Sequence, residues 1–163
     1  MSKLITTFFY VGLLPKAPGT WGSLAALPLA YALHYFGGFP ALLAGVVISF
    51  VVGVIAIKAA TAGKDDHDPS EIVIDEVCGQ WIALLPVSAG LWFAGVDPAV
   101  FPYPGWVAAF LLFRLFDIWK PWLVGWADRK HTPFGVMLDD VIAGAFAAIL
   151  VTLAAGIAHG VPW

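Results

Sequence analysis

Two adjacent pairs of acidic residues each stand directly before an apolar run, in a chain that has few charges. Asp75 and Glu76 precede one apolar run, and Asp139 and Asp140 precede another. Oxygen ligands of this kind, with no cysteine or histidine cluster beside them, suit Mg²⁺, which commonly bridges to a phosphate. The alternative to metal binding is that these acids only stabilise the positive N-terminal ends of their helices. A single acid per helix would be enough for that. We therefore favour a metal site built from both pairs.

Basic side chains lie close to the second acidic pair. Lys120 and Arg129 flank a loop, so we predict that both contact a phosphate. Arg114 stands three residues before Asp117, and for Arg114 an intrahelical ion pair is as good an interpretation as a phosphate contact. The segment thus combines ligands for a hard cation with groups that bind a phosphate.

Hydroxyl groups and a histidine add further candidates. Thr20 and Ser23 lie in a glycine-containing turn, where they could donate hydrogen bonds to a phosphate or equally cap the next helix. His67, beside Asp68, is better placed than His131 to transfer a proton near neutral pH, although either could be a surface loop residue. No motif of a covalent phosphoenzyme is present, so we expect water to attack the phosphoryl group, with a lone Asp nucleophile as the alternative.

The composition indicates a membrane. Hydrophobic residues make up 61% of the chain and charged residues 12%, against ~25% charged in typical soluble domains. We therefore predict one membrane-embedded domain over residues 1–163, without a secretory signal. The single cysteine excludes an internal disulfide and a cysteine zinc cluster. Eight Lys and Arg are too few for a nucleic-acid-binding surface.

The apolar runs that must position these groups predict an all-α fold, a compact bundle of about five membrane-spanning helices. The apolar lead over residues 1–15 is expected to form an interfacial helix, and a turn is expected at 37–40. Three tryptophans near the basic segment favour an interfacial aromatic belt over a substrate cage. The predicted spans are 24–36, 41–60, 77–94, 105–119 and 141–158.

If consecutive helices cross the membrane in opposite directions, the polar loops lie together on one face. All eight Lys and Arg fall on that face, and Asp97 is the only Asp, Glu, Lys or Arg on the other. Because cytoplasmic loops carry the excess of Lys and Arg, the polar face should be cytoplasmic and the C-terminus outside.

Four ordered motifs are similar to those of a known family. They are Pro18-Gly-Thr-x-Gly-Ser-Leu24; His67-Asp68 with Ile72-Val-x-Asp-Glu76 and Gly79; Phe113-Arg-x-x-Asp-x-Trp-Lys-Pro-Trp122 with Asp128-Arg129; and Gly135-x-Met-x-Asp-Asp140 with Ala143-Gly144. Together they resemble the phosphatidylglycerophosphatase A family from about residue 12 to residue 145. The chain departs from the pattern at Leu123, at Gly125 and in a loop at 130–133 that is one residue shorter.

The resemblance implies an Mg²⁺-dependent phosphoric monoester hydrolase of phospholipid biosynthesis. Its substrate would be phosphatidylglycerophosphate, whose terminal phosphate is removed to give phosphatidylglycerol, at the bacterial cytoplasmic (inner) membrane. The family's polar positions carry over onto His67, Asp68, Asp75, Glu76, Arg114, Asp117, Lys120, Asp128, Arg129, Asp139 and Asp140. Of these, we assign His67, Asp68 and Asp117 to catalysis.

A small membrane transporter or ion-binding protein is the rival interpretation, because intramembrane acids are typical of such proteins. The rival is disfavoured because the charges gather on one face and trace no polar path across the bilayer. The sequence leaves open whether the chain forms a homo-oligomer.

Overall fold

The computed structural model describes residues 2–64, 69–158 and 160, and all the regular structure in these ranges is helical. This confirms the all-α prediction. Five long helical segments are present, because α2 consists of two arms. The elements are α1 (Ser2–Thr6), a 3₁₀ turn (Val11–Leu13), α2 (Pro18–Ala60), α3 (Ile74–Phe93), α4 (Tyr103–Trp119), α5 (Leu123–Asp128) and α6 (Pro133–Ala158).

Helix α2 reverses direction at Gly38. The backbone there is non-helical, with φ 63° and ψ −157°, which favours glycine. A Cβ added to Gly45 would lie 2.9 Å from Leu33 Cδ1, whereas twelve residues of straight helix span ~18 Å. The arms 18–37 and 39–60 therefore fold back on each other, and the expected turn at 37–40 is confirmed as this reversal.

Two helices begin more than one turn earlier than the sequence pattern predicts. The first arm of α2 starts at Pro18 rather than at residue 24, with Ala17 as its N-cap. Helix α6 starts at Pro133 rather than at 141, and the Thr132 hydroxyl accepts a hydrogen bond from the Gly135 N–H at 3.0 Å. Proline is well suited to the first position of a helix because its missing N–H is not needed there.

These earlier starts correct three predictions. Asp139 and Asp140 do not open their helix but lie in the second turn of α6. Thr20 and Ser23 do not cap α2, because they lie inside it. The lead at residues 1–15 is not one interfacial helix but the short α1 followed by the 3₁₀ turn.

Helix α3 is the centre of the bundle and packs against α2, α4 and α6. Its contact with α6 is closest at two glycines. A Cβ on Gly144 would overlap the Gly79 carbonyl group, and a Cβ on Gly79 would lie 2.5 Å from the Phe113 ring. Only glycine allows these two backbones to approach so closely.

The outer surface of the bundle is strongly apolar. Phe36, Ile55 and Ile118 are among many large hydrophobic side chains with more than three fifths of their surface exposed. Exposed apolar area on this scale indicates a lipid or protein environment rather than water. By length and composition, α2 and α6 are the two described helices able to cross a membrane.

Candidate active site

A polar cavity of about 350 Å³ lies at the end of the bundle where α2 and α3 begin and α4 ends. Five carboxylates line it against two cations, so the cavity carries an excess of negative charge. Backbone from the start of α2 and from the loop before α3 completes its wall. The lining residues are Ala17, Pro18, Gly19, Ser70, Ile72, Asp75, Glu76, Arg114, Asp117, Lys120, Asp139 and Asp140.

Three of the carboxylates converge on one point. Asp75, Glu76 and Asp140 each offer an oxygen, and these oxygens all lie within 4.8 Å of one another. Asp75 and Asp140 are buried, and Asp75 Oδ1 accepts a hydrogen bond from the Glu76 N–H at 3.1 Å. Among the described residues, Glu76 Oε2 and Asp140 Oδ2 are buried without a hydrogen-bond partner.

This arrangement fits a divalent cation. Buried like charges repel one another, and unsatisfied buried carboxylate oxygens are costly unless protons or a cation neutralise them. The donor set is entirely oxygen, which suits a hard ion such as Mg²⁺.

Glycines bring the three carboxylates together. Gly79 lies one turn after Asp75, and its close contact with Gly144 holds Asp140 of α6 opposite the start of α3. Gly19 allows the start of α2 to lie directly against Glu76, since a Cβ there would overlap Glu76 Oε1. In the sequence, a glycine follows each acidic pair. The structure shows that these glycines allow the helix backbones to pack closely beside the acids.

Arg114 and Asp117 form the ion pair that their spacing predicts, at 2.8 Å, and both also line the cavity. The two interpretations of Arg114 are therefore compatible. Arg114 Nη1 also donates to Ser23 Oγ at 3.3 Å, and that hydroxyl donates to the Gly19 carbonyl at 2.9 Å. Ser23 thus contacts the guanidinium but is not among the residues that line the cavity.

Lys120 joins two acids from different helices. Its ammonium group donates to Asp128 of α5 and, at 3.1 Å, to Asp139 of α6. Burial alone would lower the pKa of Lys120, but these two carboxylates outweigh it and raise the pKa above its ordinary value. Asp139 therefore has a cation partner of its own and lies outside the group of three carboxylates.

Two of the remaining predicted residues that the structure describes are not brought to the cavity wall. Arg129 is exposed, and Thr20 is half-buried on α2; neither lines the cavity. His67 and Asp68 fall outside the described residues, so their predicted role in proton transfer stays a prediction.

Sequence reasoning missed Gln80. The side chain is fully buried one turn after Glu76, and both amide atoms lack a partner among the residues that the structure describes. An isolated amide in an otherwise apolar stretch of α3 is the signal that could have identified it. Ser70, also missed, lines the cavity from the loop before α3.

The sequence of the chain is similar to one protein family and to three known proteins. The family is described as "Phosphatidylglycerophosphatase A", and it matches residues 4–155. Two relatives carry that name. The one from Escherichia coli (strain K12) is 36% identical over 89% of this chain and 78% of its own length, and the one from Haemophilus influenzae is 37% identical over 91% and 85%.

A third relative carries a different name. It comes from Bacteroides thetaiotaomicron, is provisionally named a phosphatidylinositol-3-phosphatase, and is 39% identical over 93% of this chain and 91% of its own length. No solved structure matches the chain significantly. The family match and the two relatives that share its name cover most of the chain, which therefore belongs to the phosphatidylglycerophosphatase A family of phosphoric monoester hydrolases.

Proposed function

We propose that the chain is an Mg²⁺-dependent lipid phosphatase that hydrolyses the terminal phosphomonoester of phosphatidylglycerophosphate. The products are phosphatidylglycerol and inorganic phosphate. The observation that carries this proposal is the group formed by Asp75, Glu76 and Asp140, whose oxygens lie within 4.8 Å of one another in a cavity that also holds Arg114 and Lys120.

The three carboxylates are the groups that would hold the metal. A bound divalent cation supplies charge neutralisation for the phosphoryl oxygens and lowers the pKa of water. The ion pair of Asp139 with Lys120 leaves Asp139 as a residue that positions the lysine beside the metal site.

The two cations have complementary tasks. Arg114 Nη1 contacts both Asp117 and Ser23, so two partners hold the guanidinium in place at the cavity wall. Lys120 is likewise held by two acids. Fixed cations beside the phosphoryl group stabilise the negative charge of the transition state without reorganising during the reaction.

The membrane placement supports a lipid substrate. We propose a multi-pass protein of the bacterial inner membrane, with the polar cavity at the cytoplasmic surface, because all Lys and Arg lie toward that end of the bundle. In this position the acyl chains of the substrate stay in the leaflet while its head group reaches the cavity.

The choice of head group rests on the relatives. All three names describe the removal of a phosphomonoester from a phospholipid head group, and two of the three specify phosphatidylglycerophosphate. The third makes phosphatidylinositol 3-phosphate the competing substrate that an experiment must include.

The test is phosphate release by the purified protein from three substrates at equal concentration, with and without Mg²⁺. We expect phosphatidylglycerophosphate in mixed micelles to be hydrolysed much faster than phosphatidylinositol 3-phosphate or soluble glycerol 3-phosphate. Chelation should abolish release, and Mg²⁺ should restore it. Faster release from the inositol lipid, equal rates on the soluble ester, or diacylglycerol as the main product would reject the proposal.

A further inference from the structure

A second cavity lies beside the polar one, and its lining is almost entirely apolar. It measures about 480 Å³, which is within the ~300 to 1,000 Å³ usual for small-molecule sites. Helix α2 packs mainly against α3, and α4 packs mainly against α6, so a gap remains between α2 and α4. The lining residues are Leu24, Leu27, Pro28, Tyr31, Phe101, Trp106, Val107 and Phe110.

The two cavities share the same pair of helices. On α4, Phe110 lies one turn before Arg114, and Asp117 continues the same face into the polar cavity. On α2, Leu24 follows Ser23, which accepts the hydrogen bond from Arg114. The apolar cavity therefore begins where the polar one ends, at the level of the Arg114 side chain.

Aromatic rings close the far end of the apolar cavity. The Tyr31 ring packs edge-on against Phe101 and Trp106 at 5.5 and 6.0 Å, and its hydroxyl donates to the Ala99 carbonyl at 3.0 Å. From Leu24 to Tyr31 the helix rises ~10 Å, compared with ~15 Å for half of a hydrocarbon core. The cavity thus has the depth of the upper part of an acyl chain.

The cavity is open toward the outer surface of the bundle. Leu24 and Val107 retain 38% and 42% of their surface exposed, and the neighbouring surface is apolar. A hydrocarbon chain can therefore enter sideways from a bilayer without passing through the polar cavity.

We propose that this cavity binds one acyl chain of the phospholipid whose phosphorylated head group occupies the polar cavity. The proposal rests on the proposed function, since it takes the substrate to be a diacyl lipid. Because lipid tails are as apolar as leucine, moving a chain from the bilayer into the cavity gains little hydrophobic free energy. The gain is positional: a chain held between α2 and α4 aligns the head group with Arg114 and the carboxylates.

The experiment compares two matched variants, Leu24→Trp and Leu29→Trp. Both leucines lie on α2 with exposed fractions of 38% and 39%, and of the two only Leu24 lines the cavity. Each variant is assayed on diacyl phosphatidylglycerophosphate in mixed micelles and on the deacylated head group in solution.

We expect Leu24→Trp to lower kcat/KM for the diacyl lipid by ~10-fold to 100-fold, the loss that follows when a substrate is displaced by about an ångström. Hydrolysis of the deacylated head group should be unchanged, and Leu29→Trp should change neither rate. Equal effects of the two variants, or an equal loss on both substrates, would overturn the proposal.

Failure of the proposed function is recognised separately, as absence of phosphate release from both substrates by the wild-type protein. In that case a phosphatidic acid with a diazirine in the middle of one chain tests the cavity directly. Cross-links to the lining residues that Leu24→Trp removes and Leu29→Trp retains would support the site. Cross-links spread over the whole apolar surface would reject it.

Discussion

A Cβ on Gly79 would lie 2.6 Å from the backbone carbonyl oxygen of Asp140. The backbones of α3 and α6 are therefore in van der Waals contact beside the group of three carboxylates. The separation of these two backbones fixes the distance from Asp140 to Asp75 and Glu76. Helix packing and the candidate metal site are therefore determined by the same contact.

The first prediction concerns this contact. Gly79→Ala should destabilise the protein by ~1 to 3 kcal/mol, because an inserted methyl group forces the helices apart. Activity should fall as well, since Asp140 moves away from its neighbours. The measurements are thermal unfolding in detergent and phosphate release.

Gly90→Ala is the control on the same helix. No atom lies within 4 Å of a Cβ added to Gly90, and replacing an interior helical glycine by alanine stabilises by ~0.5 to 1 kcal/mol. If the two alanine variants have the same stability, the close approach of α3 and α6 is not what the glycine provides.

The second prediction separates metal binding from catalysis. Asp140→Asn should raise the unfolding temperature in the absence of divalent ions, because it removes one of several buried like charges. It should also remove the stabilisation by Mg²⁺, which for a site filled at 100 times its Kd is ~2.7 kcal/mol. The unfolding temperature is measured against Mg²⁺ concentration.

Asp97→Asn is the matched control, since Asp97 lies far from the cavity and its carboxylate accepts a hydrogen bond from the Ala99 N–H. This variant should keep the full Mg²⁺ response. An unchanged Mg²⁺ response in Asp140→Asn would show that Asp140 does not bind the ion.

The third prediction concerns Lys120, which links α5 to α6. Lys120→Met should cost ~1 to 3 kcal/mol, less than a fully buried pair because a third of the lysine side chain is exposed. Most of that loss comes from leaving the buried Asp139 carboxylate unpaired. The double variant Lys120→Met with Asp139→Asn should therefore recover stability, as measured by a double-mutant cycle.

The pH dependence of the Lys120 interaction has a definite sign. A lysine whose pKa is raised on folding stabilises the protein fully below its ordinary pKa of 10.5 and loses that contribution as the pH rises through the raised value. With Asp139→Asn in both proteins, so that this carboxyl does not titrate, the difference in stability caused by Lys120→Met should thus be constant across neutral pH. A difference that disappears near neutrality in this background would contradict the ion pair of Lys120 with Asp128.

The fourth prediction concerns orientation in the membrane. With Asp97→Cys, a membrane-impermeant maleimide should label intact cells, whereas Lys130→Cys should react only after the membrane is permeabilised. Cys78 is buried and provides the unlabelled background in the wild-type chain. Labelling at position 130 in intact cells would place the polar cavity outside the cytoplasm.

Hydropathy predicted the five helical segments because each apolar run is long and bounded by glycine, proline or charge. It misplaced the starts of α2 and α6, where Pro18 and Pro133 open the helices ahead of the apolar runs. The Thr132-Pro133 pair is the usual N-cap and first-turn signal, so in this case the information was present in the sequence.

The predicted metal ligands gather at one cavity because both acidic pairs lie near the polar end of their helices. The sequence could not predict that the two members of the second acidic pair have different partners. Asp140 lies with Asp75 and Glu76, whereas Asp139 pairs with Lys120. Adjacent residues on a helix point about 100° apart, and which one faces α3 depends on the rotation of α6 set by the Gly79 contact. Gln80 was missed, although it is an isolated amide one turn after Glu76, because its burial without a partner among the described residues is visible only in the structure.

The reversal of α2 at Gly38 has a consequence for how the protein reaches the membrane. No Asp, Glu, Lys or Arg lies between Lys16 and Lys58, so the tip of this helical hairpin carries no formal charge across the bilayer. Each arm is long enough to span a ~30 Å core. We therefore expect both arms to leave the insertion machinery together as one preformed unit. Helix α3 would then pack against this hairpin. Its Asp75 and Glu76 would stay on the cytoplasmic side of the membrane, where the chain is synthesised.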